Sequence, residues 1–136
     1  MIDKFRANFY FLSNFYPVPI TLDGVTYPTA EHAFQAQKDL SRRHDFTTGS
    51  PSDAKRLGRR VRLRADWQEV KDALMYEIVR AKFAQHPDLT ERLLKTGDNP
   101  LIEGNTWGDT YWGVCNGKGK NVLGDILMRV RDDLRG

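Results

Sequence analysis

One cysteine, three histidines and no long apolar run set the outer limits of what this 136-residue chain can do. A lone Cys115 excludes an intramolecular disulfide and any multi-cysteine zinc site. His32, His44 and His86 are too scattered for metal-ligand spacing, so no metal is expected. No segment approaches the roughly 18 consecutive apolar residues that a membrane-spanning helix needs, and the first residues lack a basic stretch followed by an apolar one. The expected location is the cytoplasm, with no membrane partner. Gly-x-Ser-x-Gly is absent, and nothing adjacent in sequence gives Cys115 a base, which argues against serine and thiol hydrolase arrangements. Repeats, low-complexity stretches and linkers are also missing.

What is there has the balance of a folded soluble protein: 40% hydrophobic and 29% charged residues in 15.7 kDa, enough for one core and too little for two. Residues 1–136 are expected to form a single domain. Twenty-one basic against 18 acidic residues leave a net charge of +3, too mild to hold long nucleic acids by charge alone but suited to an anionic ligand. Lys55, Arg56, Arg59, Arg60, Arg62 and Arg64 fall within ten positions, and Lys118 and Lys120 sit among glycines. Both clusters are candidate phosphate contacts. The first reads equally as a solvated helix face or a salt-sensitive partner surface.

The first 27 residues are rich in aromatic and β-branched side chains, which predicts short strands. Asp23-Gly24 supplies the positive φ angles of a tight hairpin turn between 20–22 and 25–27. Thr29 is the expected cap of a short helix reaching Asp39. The polar stretch 40–50 reads as a surface loop able to close over a ligand. Ser52 is the expected cap of a second helix to about Val61, and Asp66 of a third with apolar positions Trp67, Val70, Leu74, Ile78 and Ala81. Pro87 starts a fourth helix ending near Gly97. The last, from Val122, carries Leu123, Ile126, Leu127, Val130 and Leu134 on one stripe. The fold class is mainly α with a small N-terminal β-hairpin.

Two places could carry chemistry. Glu31, Gln35 and Lys38 fall at i, i+4 and i+7, which aligns a carboxylate, an amide and an amine on one helical face. Glu31 and Lys38 would stand about 10 Å apart along the axis, a span suited to gripping two sides of a sugar-sized ligand. Any exposed polar face can carry such a triple. Residues 105–121 hold two of the three tryptophans and four glycines, and run directly into the last helix. Glycines admit backbone N–H groups close to an anion, aromatic rings offer flat surfaces for a base, and a helix N-terminus favours phosphate. The spacing is neither a P-loop nor Gly-x-Gly-x-x-Gly. The same loop could equally pack its tryptophans into a core.

Asn8 to Phe15 (NFYFLSNF), Tyr27 to Lys38 (YPTAEHAFQAQK), Ala81-Lys82-Phe83 with the HPDL that follows, and Trp112-Gly113 through Gly117-Lys118-Gly119-Lys120-Asn121-Val122-Leu123-Gly124 together resemble the NADAR family of YbiA-like proteins. Order and spacing match from about Phe9 to Leu134. The resemblance implies a single mainly helical domain and a cofactor-free N-glycosidase cleaving between ribose C1 and a base-like nitrogen. Family substrates fall into two classes, ADP-ribosylated guanine in DNA or RNA and the phosphoribosylamino-pyrimidine intermediates of riboflavin synthesis. The compact 112–117 loop tilts the expectation toward the ADP-ribosyl class. A third reading is a binding module for ADP-ribose or NAD without turnover.

On this reading Glu31 is the carboxylate beside C1, and the resemblance suggests Lys38 as an amine forming a Schiff base with the opened sugar. Asp109 is a candidate proton donor or ribose ligand. Asn14, Phe15, Gln35, Trp107, Trp112, Gly113, Lys118 and Asn121 are the candidate substrate-binding residues.

Overall fold

The computed structural model describes residues Met1–Gly136 and divides into two compact units, Asn14–Gln85 and a second made of Met1–Ser13 with His86–Gly136. The first begins with an antiparallel hairpin, β1 (Ile20–Leu22) and β2 (Val25–Tyr27), in the register Ile20 to Tyr27 and Leu22 to Val25. Asp23 and Gly24 both have positive φ, 48° and 79°, as a tight two-residue turn demands. Ile20, Val25 and Tyr27 are buried, while Thr21 and Thr26 face outward and share a 2.8 Å hydroxyl bond. On the outer side of β1, Gln85 accepts from Thr21 N–H and donates to Thr21 C=O, both at 2.9 Å.

Helix α1 (Ala30–Ala36) is short, and all seven of its residues are buried. Thr29 caps it, accepting from His32 N–H at 3.2 Å. The buried His32 ring is held at both nitrogens, Nδ1 to Thr29 Oγ1 at 2.8 Å and Nε2 to the Gly49 carbonyl at 2.9 Å. A carbonyl only accepts, so Nε2 carries the proton, and burial pushes the ring's pKa down toward this neutral form. The helix ends three residues before the expected Asp39. Gln37, Lys38 and Asp39 turn their N–H groups to carbonyls three residues back, a tighter winding that closes the helix.

Residues expected to form a polar loop instead form a 3₁₀ helix, Leu40–Phe46, anchored by the buried Phe46. Helix α2 (Pro51–Gly58) starts two residues before the expected position. Pro51 lacks an N–H and suits the first helical position, so the cap is Ser50, paired reciprocally with Asp53 in a capping box. The helix stops at Gly58, short of Val61. Helix α3 (Trp67–Gln85) buries Trp67 and then Met75, Ile78, Val79, Lys82 and Phe83. Its core face is rotated from the expected stripe, and Val70, Leu74 and Ala81 are only half-buried. Asp66 stands at its start, but its carboxylate is paired with Arg64. Helix α1 packs against both α2 and α3.

In the second unit the aromatic segment near the start is not a strand. Ala7–Leu12 winds into a 3₁₀ helix that buries Phe11 and Leu12. Helix α4 (Pro87–Lys95) packs on α5 (Val122–Arg135), which turns Leu123, Ile126, Leu127, Val130 and the aliphatic stem of Arg131 inward. The Arg131 guanidinium donates to Thr96 Oγ1 and the Asn99 carbonyl, both at 2.9 Å. Between the helices lie two-residue strands, β3 (Gly104–Asn105) and β4 (Val114–Cys115), paired in parallel. They come from the glycine-rich stretch in which no strand was expected. No helix is long and apolar enough to cross a membrane. The fold class is as expected, mainly α with a small hairpin.

The capping assignment is testable by chemical denaturation. Ser50→Ala should lower unfolding free energy by about 1 kcal/mol, and the exposed Ser52→Ala by less than about 0.5 kcal/mol. Equal losses at the two positions would overturn it.

Candidate active site

Glu31 sits in the first turn of α1 at 9% exposure. Its N–H donates to the Asn14 carbonyl at 3.0 Å, and its Oε2 accepts from Gln35 Nε2 at 2.7 Å. A carboxylate can only accept, so this bond fixes the Gln35 amide, whose Oε1 is buried with no hydrogen-bond partner. That oxygen lies against Gly58 at the end of α2, where any Cβ would collide with it. Here a glycine is required for two helices to approach across a polar side chain.

Lys38 leaves the helix in the turn after it and is partly buried, with Nζ 5.8 Å from the Trp67 ring centroid. Trp67 in turn packs on Phe34, centroids 5.1 Å apart. Burial is the main force lowering the Lys38 pKa below the ordinary lysine value; the Glu31 charge works against it, and Arg59 and Lys55 add to the depression. The expected exposed polar face is thus a largely buried one, carrying a carboxylate, an amide and an electrostatically coupled amine.

The preceding segment completes the group. Asn14 is buried and its Nδ2 donates to Met75 Sδ of α3 at 3.4 Å. Phe15 is half-buried, and the Lys55 ammonium lies 5.8 Å from its ring centroid. Asn14, Phe15, Glu31, Gln35 and Lys38 are therefore linked within one unit. Three neighbours join this group that sequence spacing does not connect to it. Lys55 of α2 and Arg59, the residue that caps its end, belong to the basic cluster of candidate phosphate contacts, and both act on the Lys38 charge. Trp67 had been read only as core.

The glycine-tryptophan loop belongs to the other unit. Asn105 clasps it shut, donating to the Asp109 carbonyl at 2.8 Å and accepting from Asp109 N–H at 3.0 Å. Asp109 Oδ1 accepts the N–H groups of Tyr111 and Trp112 at 3.1 and 2.9 Å, so this carboxylate shapes the loop. Asn121 is engaged at both ends of its amide, accepting from Glu103 N–H and donating to the Leu101 carbonyl. The expectation that the start of α5 is open to phosphate is not met: the N–H groups of Lys120, Asn121, Val122 and Leu123 donate to carbonyls of residues 110–113.

Gly113 is buried where a Cβ would strike the Glu103 carbonyl, so its role is close packing. Trp112 packs edge-on against Tyr111, ring centroids 4.9 Å apart, whereas Trp107 is 60% exposed. Lys118 is exposed at the end of a tight turn whose central residues Asn116 and Gly117 both have positive φ. Cys115 is buried.

Because Gly58 admits the Gln35 amide, Gly58→Ala should displace Gln35 from Glu31. Turnover should fall about tenfold, a change of about 1.4 kcal/mol, with the protein still folded. Unchanged turnover in a folded variant would remove Gln35 from the site.

The NADAR domain family profile matches residues 3–135. An N-glycosidase, YbiA, of Shigella boydii is 46% identical over 128 residues, covering 90% of this chain and 79% of that protein. A riboflavin biosynthesis protein of Vibrio vulnificus is 41% identical over 131 residues, covering 92% of this chain and 35% of that protein. The NMR structure of the Escherichia coli protein YbiA superposes with a TM-score of 0.85 at 43% identity, covering 99% of this chain and 87% of that one. The chain therefore belongs to the NADAR family and is a hydrolase of the N-glycosidase class.

Proposed function

We propose that this N-glycosidase removes ADP-ribose from ADP-ribosylated guanine in nucleic acid, with Glu31 and Lys38 as its catalytic pair. The observation that carries the reading is the desolvated Lys38 amine, held near the Trp67 ring and electrostatically coupled to the buried Glu31 carboxylate. As the bond from ribose C1 to the base nitrogen breaks, positive charge develops on the sugar, and a fixed carboxylate beside C1 stabilises that state. Burial favours the neutral form of Lys38, which has a lone pair for C1 of the opened sugar. The ring opens as the C1–O4 bond breaks, O4 taking a proton and the base nitrogen lending its lone pair to C1; Nζ then adds to C1, the base leaves with the C1–N electrons and the proton lost by Nζ, and a Schiff base remains. Water adds to C1, the C1–Nζ bond breaks, and the free sugar and the amine are regenerated. The reaction as written consumes only water.

Lys55 and Arg59 supply cations for a diphosphate, and Phe15 supplies a flat apolar surface. The compactness of the 112–117 loop supports the ADP-ribosyl substrate. A second reading, hydrolysis of phosphoribosylamino-pyrimidine intermediates of riboflavin synthesis, is favoured by the name of the Vibrio relative.

Mass spectrometry of products separates the two. ADP-ribose released from a guanine-ADP-ribosylated oligonucleotide supports the first reading; ribose 5-phosphate released only from the pyrimidine supports the second. Glu31→Gln and Lys38→Met should each lower kcat by at least about 100-fold. Borohydride should trap a sugar adduct on the wild type and none on Lys38→Met. Since a lowered pKa frees the amine at lower pH, kcat should rise with pH and level off below the ordinary lysine value of 10.5. Full turnover in both variants would overturn the catalytic assignment.

A further inference from the structure

The buried stripe of α3 runs Met75, Ile78, Val79, Lys82, Phe83. Four of these are apolar, and the fifth is a lysine at 1% exposure. A core position holding an amine is costly, because burial disfavours the charged form unless neighbouring groups compensate. Lys82 Nζ lies 5.8 Å from the Tyr16 ring centroid and 5.4 Å from that of Phe83, both within cation–π range.

Met75 and Lys82 are seven residues apart, two turns along the same face of α3. Met75 Sδ accepts from Asn14 and Lys82 meets Tyr16, so the helix grips residues 14–16 from both sides of Phe15. The ring between them lies beside the Lys55 ammonium of α2. The same turn supplies the Asn14 carbonyl that accepts the Glu31 N–H. Anything that shifts Tyr16 therefore moves Phe15 and Asn14, and through Asn14 the start of α1.

From this linkage we infer that Lys82 is a positioning residue of the glycosidase reaction: seated against Tyr16, it holds the 14–16 turn so that Asn14 fixes Glu31 and Phe15 faces Lys55. The inference rests on the reading of Glu31 as a catalytic carboxylate. Burial alone pushes the Lys82 pKa down to about 7. A lysine serving only to fill space would be matched by methionine, which has similar length and no charge.

The experiment compares Lys82→Met, Lys82→Arg, Tyr16→Leu and Glu31→Gln with the wild type. Turnover is measured on the ADP-ribosylated oligonucleotide and on the phosphoribosylamino-pyrimidine, and the amide resonances of the Asn14 side chain and Glu31 backbone are followed by NMR. Lys82→Met and Tyr16→Leu should each lower kcat at least tenfold with KM changed less than threefold, and should move both resonances. Lys82→Arg, which keeps a cation for the Tyr16 ring, should restore part of kcat.

Folded Lys82→Met or Tyr16→Leu protein with wild-type kcat, or with both resonances unmoved, overturns the inference. If Lys82→Met does not fold, Tyr16→Leu decides alone. If the wild type turns over neither substrate, the resonances decide. Full activity in Glu31→Gln would instead sink the catalytic reading, whereas an inactive Glu31→Gln beside fully active Lys82→Met and Tyr16→Leu would sink only the role of Lys82.

Discussion

A carboxylate buried on a helix of seven buried residues is the constraint around which the Asn14–Gln85 unit is arranged. Glu31 cannot be taken from water without replacement partners, and the fold supplies them locally. Gln35, one turn on, donates to the carboxylate, and the carbonyl of Asn14 takes the backbone N–H. Gln35 needs room that only Gly58 leaves, so the approach of α2 follows from the same requirement. That approach brings Lys55 and Arg59 into electrostatic range of Lys38 and sharpens its preference for the neutral amine.

The division of labour between the two units is chemical. In the first, polar side chains face one another with little solvent, which suits charge stabilisation. In the second, Asn105, Asp109 and Asn121 act on backbone groups, building a rigid glycine-rich loop with a tight turn and a two-residue parallel ladder. Two candidate site residues of the sequence, Asp109 and Asn121, are largely occupied in holding main chain. Trp107 and Lys118 remain outward.

The hairpin was legible because Asp-Gly has a local meaning, two positive φ angles, that depends little on distant residues. Helices α4 and α5 were legible from Pro87 and from the Leu123 to Val130 stripe. Ser50 caps α2 in place of Ser52 because Pro51, which has no N–H to satisfy, takes the first helical position. The aromatic run near the start looked like a strand, but two of its residues, Phe11 and Leu12, bury themselves from a 3₁₀ helix, which aromatic composition does not distinguish from a strand. The i, i+4, i+7 spacing found Glu31, Gln35 and Lys38 but not their burial, since burial depends on α2 and α3 packing over α1. Lys82 was hidden for the same reason: sequence spacing does not say which cation turns inward.

The pair of bonds from Gln85 to Thr21 has a consequence outside catalysis. A two-stranded hairpin leaves main-chain donors and acceptors along each border, and such a border can recruit an extended segment from another molecule. Gln85, arriving from the end of a 19-residue helix, meets the donor and the acceptor of Thr21 with one side-chain amide and so imitates a single residue of a neighbouring strand. The border of β1 is closed to intermolecular pairing at its central position. One glutamine thereby occupies the donor and acceptor through which a second molecule's strand would pair.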